Sequence, residues 1–346
     1  MGDPYLQSDG ETLENVQGIQ HDPEALDRLE KFLTASREAE LHERGLPALQ
    51  GFPLVKAIHY HLFQDVYSWA GQPRTTLLVR DMSGFLAPER IEQEGRKLFE
   101  RLAEKDNLRG LSRMEFAEQL AVPFNELNHI HPFREGNGRT QRIVWEAFAR
   151  EAGHTLDFEG ISQERMAVVS IAGMKGDHMP AIRMFDELLD STRHKALVKA
   201  TRFLEKAFRD DSDFSWNERY IATTTPGQAY DGKFAGRSGD NFMMGSGDRV
   251  YIGNLADLGS HADGLRSGDQ VSFRAAGETP ASRSFSSLAT ALTGRSGSYE
   301  PKATAPDWLD RAKAYGDRQK KPGSEPVSDE TPASVRRHDP SGDPSP

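Results

Sequence analysis

Between His131 and Arg142 the chain reads His-Pro-Phe-Arg-Glu-Gly-Asn-Gly-Arg-Thr-Gln-Arg, which brings an imidazole, a carboxylate, a glycine-flanked amide and two guanidiniums into one short run. His131, with an unperturbed pKa near neutrality, suits a base that takes the proton of an incoming hydroxyl. Glu135 offers a hard oxygen to Mg2+, an ion that keeps most of its waters and bridges phosphates. Arg139 and Arg142 lie three apart and so share one face of a helix. From that face two guanidiniums clamp phosphate oxygens in a forked geometry that lysine does not match. The chemistry on offer is a grip on a polyphosphate with a proton acceptor beside it.

Two helices must hold this run in place. Phe116, Leu120, Val122, Phe124, Leu127 and Ile130 recur at helical offsets over about residues 113–130, and Ile143, Val144, Ala147 and Phe148 do so after Gly138. The motif is therefore predicted as the loop between them. Asn137, set between glycines, is expected to cap the second helix, and the glycines let the backbone approach a ligand closely. A helix N-terminus also supplies unpaired N–H groups and the positive end of the dipole, which suit a phosphate. Phe133 has no polar role and reads as a plug anchoring the loop in the core. Each piece has a plainer reading alone: a structural histidine, ordinary helix punctuation, a first-turn acid, a solvated arginine face. The order and spacing of the whole set argue against those readings.

The run resembles the signature of the Fic family, His-Pro-Phe-x-Asp/Glu-Gly-Asn-Gly-Arg-x-x-Arg. His131, Pro132, Phe133, Glu135, Gly136, Asn137, Gly138, Arg139 and Arg142 meet its fixed positions. The resemblance implies that His131 deprotonates a side-chain hydroxyl of a target protein and that Glu135 holds Mg2+ between the α- and β-phosphates of ATP. It assigns an anion hole to Asn137 with Gly136 and Gly138, and the β- and γ-phosphates to Arg139 and Arg142. The hydroxyl then attacks the α-phosphorus, pyrophosphate leaves, and AMP stays on a Ser, Thr or Tyr; positioning and charge neutralisation supply most of the rate. A family branch that moves a terminal phosphate has lysine where this chain has Gly138. Another nucleotide or diphosphate donor, or a non-catalytic effector scaffold, is the alternative that the motif leaves open.

A second stretch, Val66-Tyr67-Ser68-Trp69-Ala70-Gly71-Gln72-Pro73-Arg74, looks like the segment leading to the family's β-hairpin flap. The β-rich run Thr75, Thr76, Leu77, Leu78 and Val79, with a turn and return strand over Met82 to Phe85, is the expected hairpin. It is either an ordinary edge hairpin or the flap that docks a target strand by main-chain pairing. Many relatives are inhibited by a helix carrying Ser/Thr-x-x-x-Glu-Gly/Asn. Ser36 to Glu40 has the first part, but Leu41 stands where Gly or Asn is required. The resemblance then points to a small antitoxin protein acting in trans, whose Glu would engage Arg142.

Around these stretches the expected fold class is mainly α: a helical domain with a hairpin flap, a small OB-like β-barrel and a disordered tail. Asp22-Pro23 opens a helix with Leu26, Leu29, Phe32 and Leu33 on one side. Further helices are predicted over 52–66, 88–105, 162–173 and 178–210. From residue 219 the texture changes to five short β-rich pieces, Tyr220–Thr223, Lys233–Ala235, Asn241–Met244, Arg249–Ile252 and Gln270–Phe273, separated by glycine turns. The domains are thus expected at 1–205 and, after a linker at 206–216, at 217–280, followed by a polar linker and tail at 281–346. A Fic domain followed by an OB-like module resembles effectors that bacteria deliver by type IV secretion, so the chain is expected in the bacterial cytoplasm or a host cell. The basic Arg318-Gln319-Lys320-Lys321 is a solvated linker or a remnant signal.

Composition limits the alternatives. The 346 residues carry a net charge of −10, which argues against broad nucleic-acid or anionic-membrane binding. Tyr220, Tyr230, Phe234, Phe242, Tyr251 and Phe273 could serve a nucleic-acid surface, but the mixed charge around them favours core positions. No apolar run reaches membrane-spanning length, and the absence of cysteine excludes disulfides and thiolate metal sites.

Overall fold

A computed structural model describes residues 3–80, 83–209 and 215–276. Met82 of the expected hairpin, residues 210–214 of the expected linker and the expected tail lie outside the described residues.

The helical part is built by α1 (Pro23–Arg44), α2 (Gly51–Phe63), α3 (Ile91–Glu104), α4 (Arg113–Ile130), α5 (Asn137–Glu151), α6 (Gln163–Met174), α7 (Met179–Leu189) and α8 (Ser191–Ala207). Asp22 caps α1 by accepting from the amide of Ala25. The buried line of α1 is Leu26, Glu30, Thr34 and Leu41, so Phe32, two residues off that line, points outward and is 72% exposed. That corrects the expected apolar side of α1: a buried carboxylate occupies the stripe, and hydrophobicity alone could not reveal it. The helix predicted over 178–210 is two helices. They break at Asp190, which leaves helical geometry and caps α8 through the amides of Thr192 and Arg193.

α4 is the centre of the molecule. Phe116, Ala117, Leu120, Ala121, Phe124, Leu127 and Ile130 are all buried, the pattern of a helix enclosed on most sides. A capping box fixes its start, with Ser112 and Glu115 bonding each other's backbone. Its end is His131 in the left-handed region at φ 45°. Phe124 meets Phe185 of α7 edge to face with centroids 5.1 Å apart, and Trp145 of α5 is wholly buried.

The hairpin is shorter than expected. Strand β1 is Val79–Arg80 alone, paired antiparallel with β2 (Ser83–Gly84). Thr75 to Leu78 are not a strand and bend at Thr76, because Arg74, Thr75 and Thr76 bond side chains and loops below them instead of a partner strand. One further ladder bond, from the Phe85 amide to Leu78 O (3.0 Å), continues the pairing.

Strands β3 (Tyr220–Thr223), β4 (Ala229–Ser238), β5 (Asn241–Ser246), β6 (Arg249–Asn254) and β7 (Gln270–Arg274) form one sheet in the order β3-β6-β5-β4-β7. β3 runs parallel to β6, and the other neighbours are antiparallel. A 3-10 segment, Leu255–Gly264, links β6 to β7. Tyr230, Phe234, Phe242, Met244 and Val271 make a core of the sheet's own. Ile221, Val250 and Ile252 belong to the helical core instead. Buried Arg165 of α6 fastens this junction: it pairs with Glu187 of α7 and donates to Ile221 O (3.1 Å), while Glu187 accepts from the Thr223 amide (2.8 Å).

Candidate active site

The motif is the α4–α5 connection. Gly136, not Asn137, stands at the N-cap of α5, in the left-handed conformation at φ 82°. A Cβ at Gly136 would lie 2.2 Å from the Phe63 ring, so only glycine fits. Asn137 is buried and turned back into the loop: its Oδ1 accepts from the Phe133 amide (2.9 Å) and its Nδ2 donates to Phe133 O (2.7 Å). The expected side-chain cap is therefore a loop staple, since both ends of the amide find partners within one residue. Phe133 is fully buried and stacks on His59 with centroids 3.7 Å apart.

The chemistry-bearing groups stand around that staple. His131 is half-buried, and the Phe85 ring of the hairpin stacks on its imidazole at 3.9 Å and 14°. The Glu135 carboxylate is 44% exposed, accepts from the Gly136 amide (2.8 Å) and lies 3.5 Å from Arg139. Gly138 is exposed, with open space where a Cβ would point. The two arginines differ. Arg139 pairs with buried Glu30 of α1, reaches Thr34 Oγ1 (3.2 Å) and lies over the Phe63 ring at 4.8 Å. Arg142 is exposed and, among the described residues, makes no hydrogen bond or ion pair; Glu38 is an acidic neighbour. Glu40, in the segment reminiscent of an inhibitory helix, pairs with Arg37 at 2.9 Å.

Several supporting residues carried no local signal. Glu30 and Thr34 read as ordinary positions of an amphipathic helix, and Tyr67 donates its hydroxyl to Glu30. His59 sits inside an apolar stretch of α2 and is wholly buried. Its Nδ1 accepts from the Gly71 amide (2.8 Å), so Nε2 carries the hydrogen and donates to Glu135 O (2.9 Å). Burial, with the charge of Arg139 adding to it, pushes the His59 pKa down to about 3, against the opposing effect of the Glu135 carbonyl. The neutral ring thus positions the backbone of the carboxylate residue. Arg74 is 2% exposed and, among the described residues, its side chain donates only to backbone carbonyls.

A metal needs a fit of its own. Among the described residues no three His, Cys, Asp or Glu side chains gather into a metal site. A lone half-exposed carboxylate beside an open helix N-terminus fits Mg2+ that takes its other ligands from phosphates and water.

The profile of the Fic/DOC family matches residues 52–149, from α2 to the end of α5. A probable protein adenylyltransferase Fic of Salmonella typhimurium is 36% identical over 191 residues, covering 55% of this chain and 94% of that protein. The chain belongs to the Fic/DOC family. A protein adenylyltransferase of Bartonella henselae is 31% identical over 288 residues, 78% of this chain. The chain spans only 52% of that relative's length. Among solved structures, the type IV secretion system effector protein BepA superposes with a TM-score of 0.69 at 30% identity, over 80% of this chain and 96% of that one. That share exceeds what the helical part can supply, so this Fic chain and BepA are alike into the sheet as well. No helix among the described residues is long and apolar enough to cross a membrane.

Proposed function

We propose that this Fic protein is a protein adenylyltransferase that moves AMP from ATP to a Ser, Thr or Tyr hydroxyl of a target protein. The N-terminus of α5 is the observation that carries it. Gly138 borders open space, Arg142 is exposed without an ion pair among the described residues, and the half-exposed Glu135 carboxylate stands one turn earlier. Unpaired helix N–H groups, the dipole and a free guanidinium make that place an anion site.

The target hydroxyl gives its proton to His131, its oxygen bonds to the α-phosphorus, and the bond to the β-phosphate oxygen breaks to release pyrophosphate. Arg142, with Arg139 behind it, holds the leaving phosphates, and Gly136, Asn137 and Gly138 shape the loop around them. Mg2+ on Glu135 would neutralise phosphate charge. Thr75, Thr76, Leu77, Leu78 and Val79 with the hairpin would receive the target segment; the 69% exposure of Leu77 supports that reading. The strand order, the parallel pair and the helical segment before the last strand favour an OB-like module for the sheet, placed after a boundary near residues 206–216. A small inhibitor acting in trans would present a carboxylate to Arg142. Likeness to a secreted effector supports delivery into a host cell.

Transfer of α-labelled ATP to protein in a lysate with Mg2+, for wild type and His131→Ala, tests the proposal. A discrete labelled band lost in the variant is the expected result. Label from γ-labelled ATP or from another nucleotide instead would overturn AMP as the group moved.

A further inference from the structure

We infer that Arg74 is a positioning residue for the proposed transfer, locking the hairpin to the carbonyl end of α4 and thereby fixing His131 relative to a strand laid along the hairpin. The consequence for catalysis rests on the AMP-transfer reading; the lock does not.

The geometry is specific. Nε of Arg74 donates to His131 O at 2.8 Å, and Nη2 donates to Leu86 O at 2.6 Å and Ile130 O at 3.3 Å. Nη1 donates to Thr76 O at 2.6 Å, and the Arg74 amide donates to Pro132 O at 2.8 Å. Thr76 lies on the leg that enters the hairpin and Leu86 on the leg that leaves it. Both legs and the end of α4 thus meet on one planar cation. The Leu86 amide adds a bond to His129 O at 3.0 Å. The last carbonyls of α4, which no residue of the helix itself can bind, are consequently finished by the hairpin and its arginine.

A purely structural guanidinium normally has a carboxylate. Among the described residues Arg74 has no ion pair, and burial lowers its pKa. What stabilises its charge is a set of carbonyl dipoles, two at the negative end of α4 and two on the hairpin legs, with the more distant charge of Glu89 adding to them. Those carbonyls include that of His131, whose φ of 45° is a conformation a side-chain-bearing residue holds only when its surroundings impose it. Phe85, carried on the same hairpin, covers the imidazole face. Position of the hairpin and orientation of the base are therefore one degree of freedom. Lysine cannot reproduce this, because an ammonium is a point donor without the planar fork.

The test uses the full chain as wild type, Arg74→Lys, Arg74→Gln and His131→Ala. Hydrogen exchange is followed at the Phe85 and Leu86 amides, with the Leu120 and Phe124 amides inside α4 as the reference. Steady-state AMP transfer is measured alongside. Loss of the lock should speed exchange at Phe85 and Leu86 while α4 keeps its protection. Turnover should fall about 10²-fold with the KM for ATP within about twofold, since the base is misplaced and the phosphate site is not. Arg74→Lys should fall between wild type and Arg74→Gln, and it carries the test alone if the glutamine variant does not fold. Unchanged exchange at Phe85 and Leu86 would overturn the inference. So would lost protection throughout α4, or a fall in transfer that lies wholly in KM. If the wild type transfers no AMP, that reading fails separately, and the exchange result still decides the lock.

Discussion

The Glu30 carboxylate of α1 holds the Arg139 guanidinium of α5, and the Tyr67 hydroxyl donates to the same carboxylate. Arg139 therefore arrives at the site already neutralised and oriented, whereas Arg142 does not. The two motif arginines, equivalent as letters, have different electrostatic duties.

Breaking the Glu30–Arg139 pair from either side should be costly, because the partner left behind is a largely buried charge. Glu30→Ala and Arg139→Ala should each lose about 3 kcal/mol of stability, and the double variant much less than the sum. Urea denaturation of the four proteins in a double-mutant cycle measures this. Strictly additive losses would show that the pair is not coupled.

Arg142→Ala should behave in the opposite way. With no ion pair among the described residues to lose, its stability should stay within about 0.5 kcal/mol of wild type. Its Kd for Mg-ATP, by calorimetry, should rise at least about tenfold through the lost charge-assisted bonds. An unaltered Kd would place the phosphate grip elsewhere.

His59 makes stability depend on pH. Below about pH 6.5 the unfolded chain takes up a proton at this ring that the folded chain refuses until about pH 3. The unfolded state binds more protons in that window, so acidification favours unfolding. The contribution is fully present above pH 6.5 and declines as pH falls toward 3. Between pH 7 and pH 5 the loss from this one group should be about 2 kcal/mol. His59→Gln, which cannot titrate, should show a flatter dependence in urea midpoints over that range; parallel curves would refute the assignment.

Gly136 and Gly138 separate backbone demand from ligand space. Gly136→Ala puts a methyl into Phe63 at a positive φ and should destabilise the fold by more than about 1 kcal/mol. Gly138→Ala meets nothing within 4 Å and should leave the melting temperature unchanged. It should nonetheless weaken Mg-ATP binding if the phosphates lie against that turn. Equal stability losses in the two variants would contradict this division.

The motif was legible because its chemistry is contiguous: one loop between two helices carries the base, the carboxylate and both guanidiniums. A helix start was legible where a cap announces it, as at Asp22. The five strand centres were legible from short β-rich runs set between glycine turns. What escaped was long-range polar pairing. Glu30 lies 109 residues from Arg139, and Arg74 lies 57 from His131. No local pattern distinguishes a charge that will be buried from one that will be solvated. Asn137 misled for a related reason: the same amide that can cap a helix can also staple the preceding turn, and only the packed Phe133 decides between them.

The junction at Arg165 and Glu187 bears on how this chain can be dissected. Severing it after α8 would not remove an appendage. It would uncover an apolar strip that Ile221, Val250 and Ile252 now share with the helices, and it would take the Ile221 carbonyl and the Thr223 amide from a buried ion pair. Any substitute module grafted at that seam would have to bring its own acceptor for Arg165 and its own donor for Glu187.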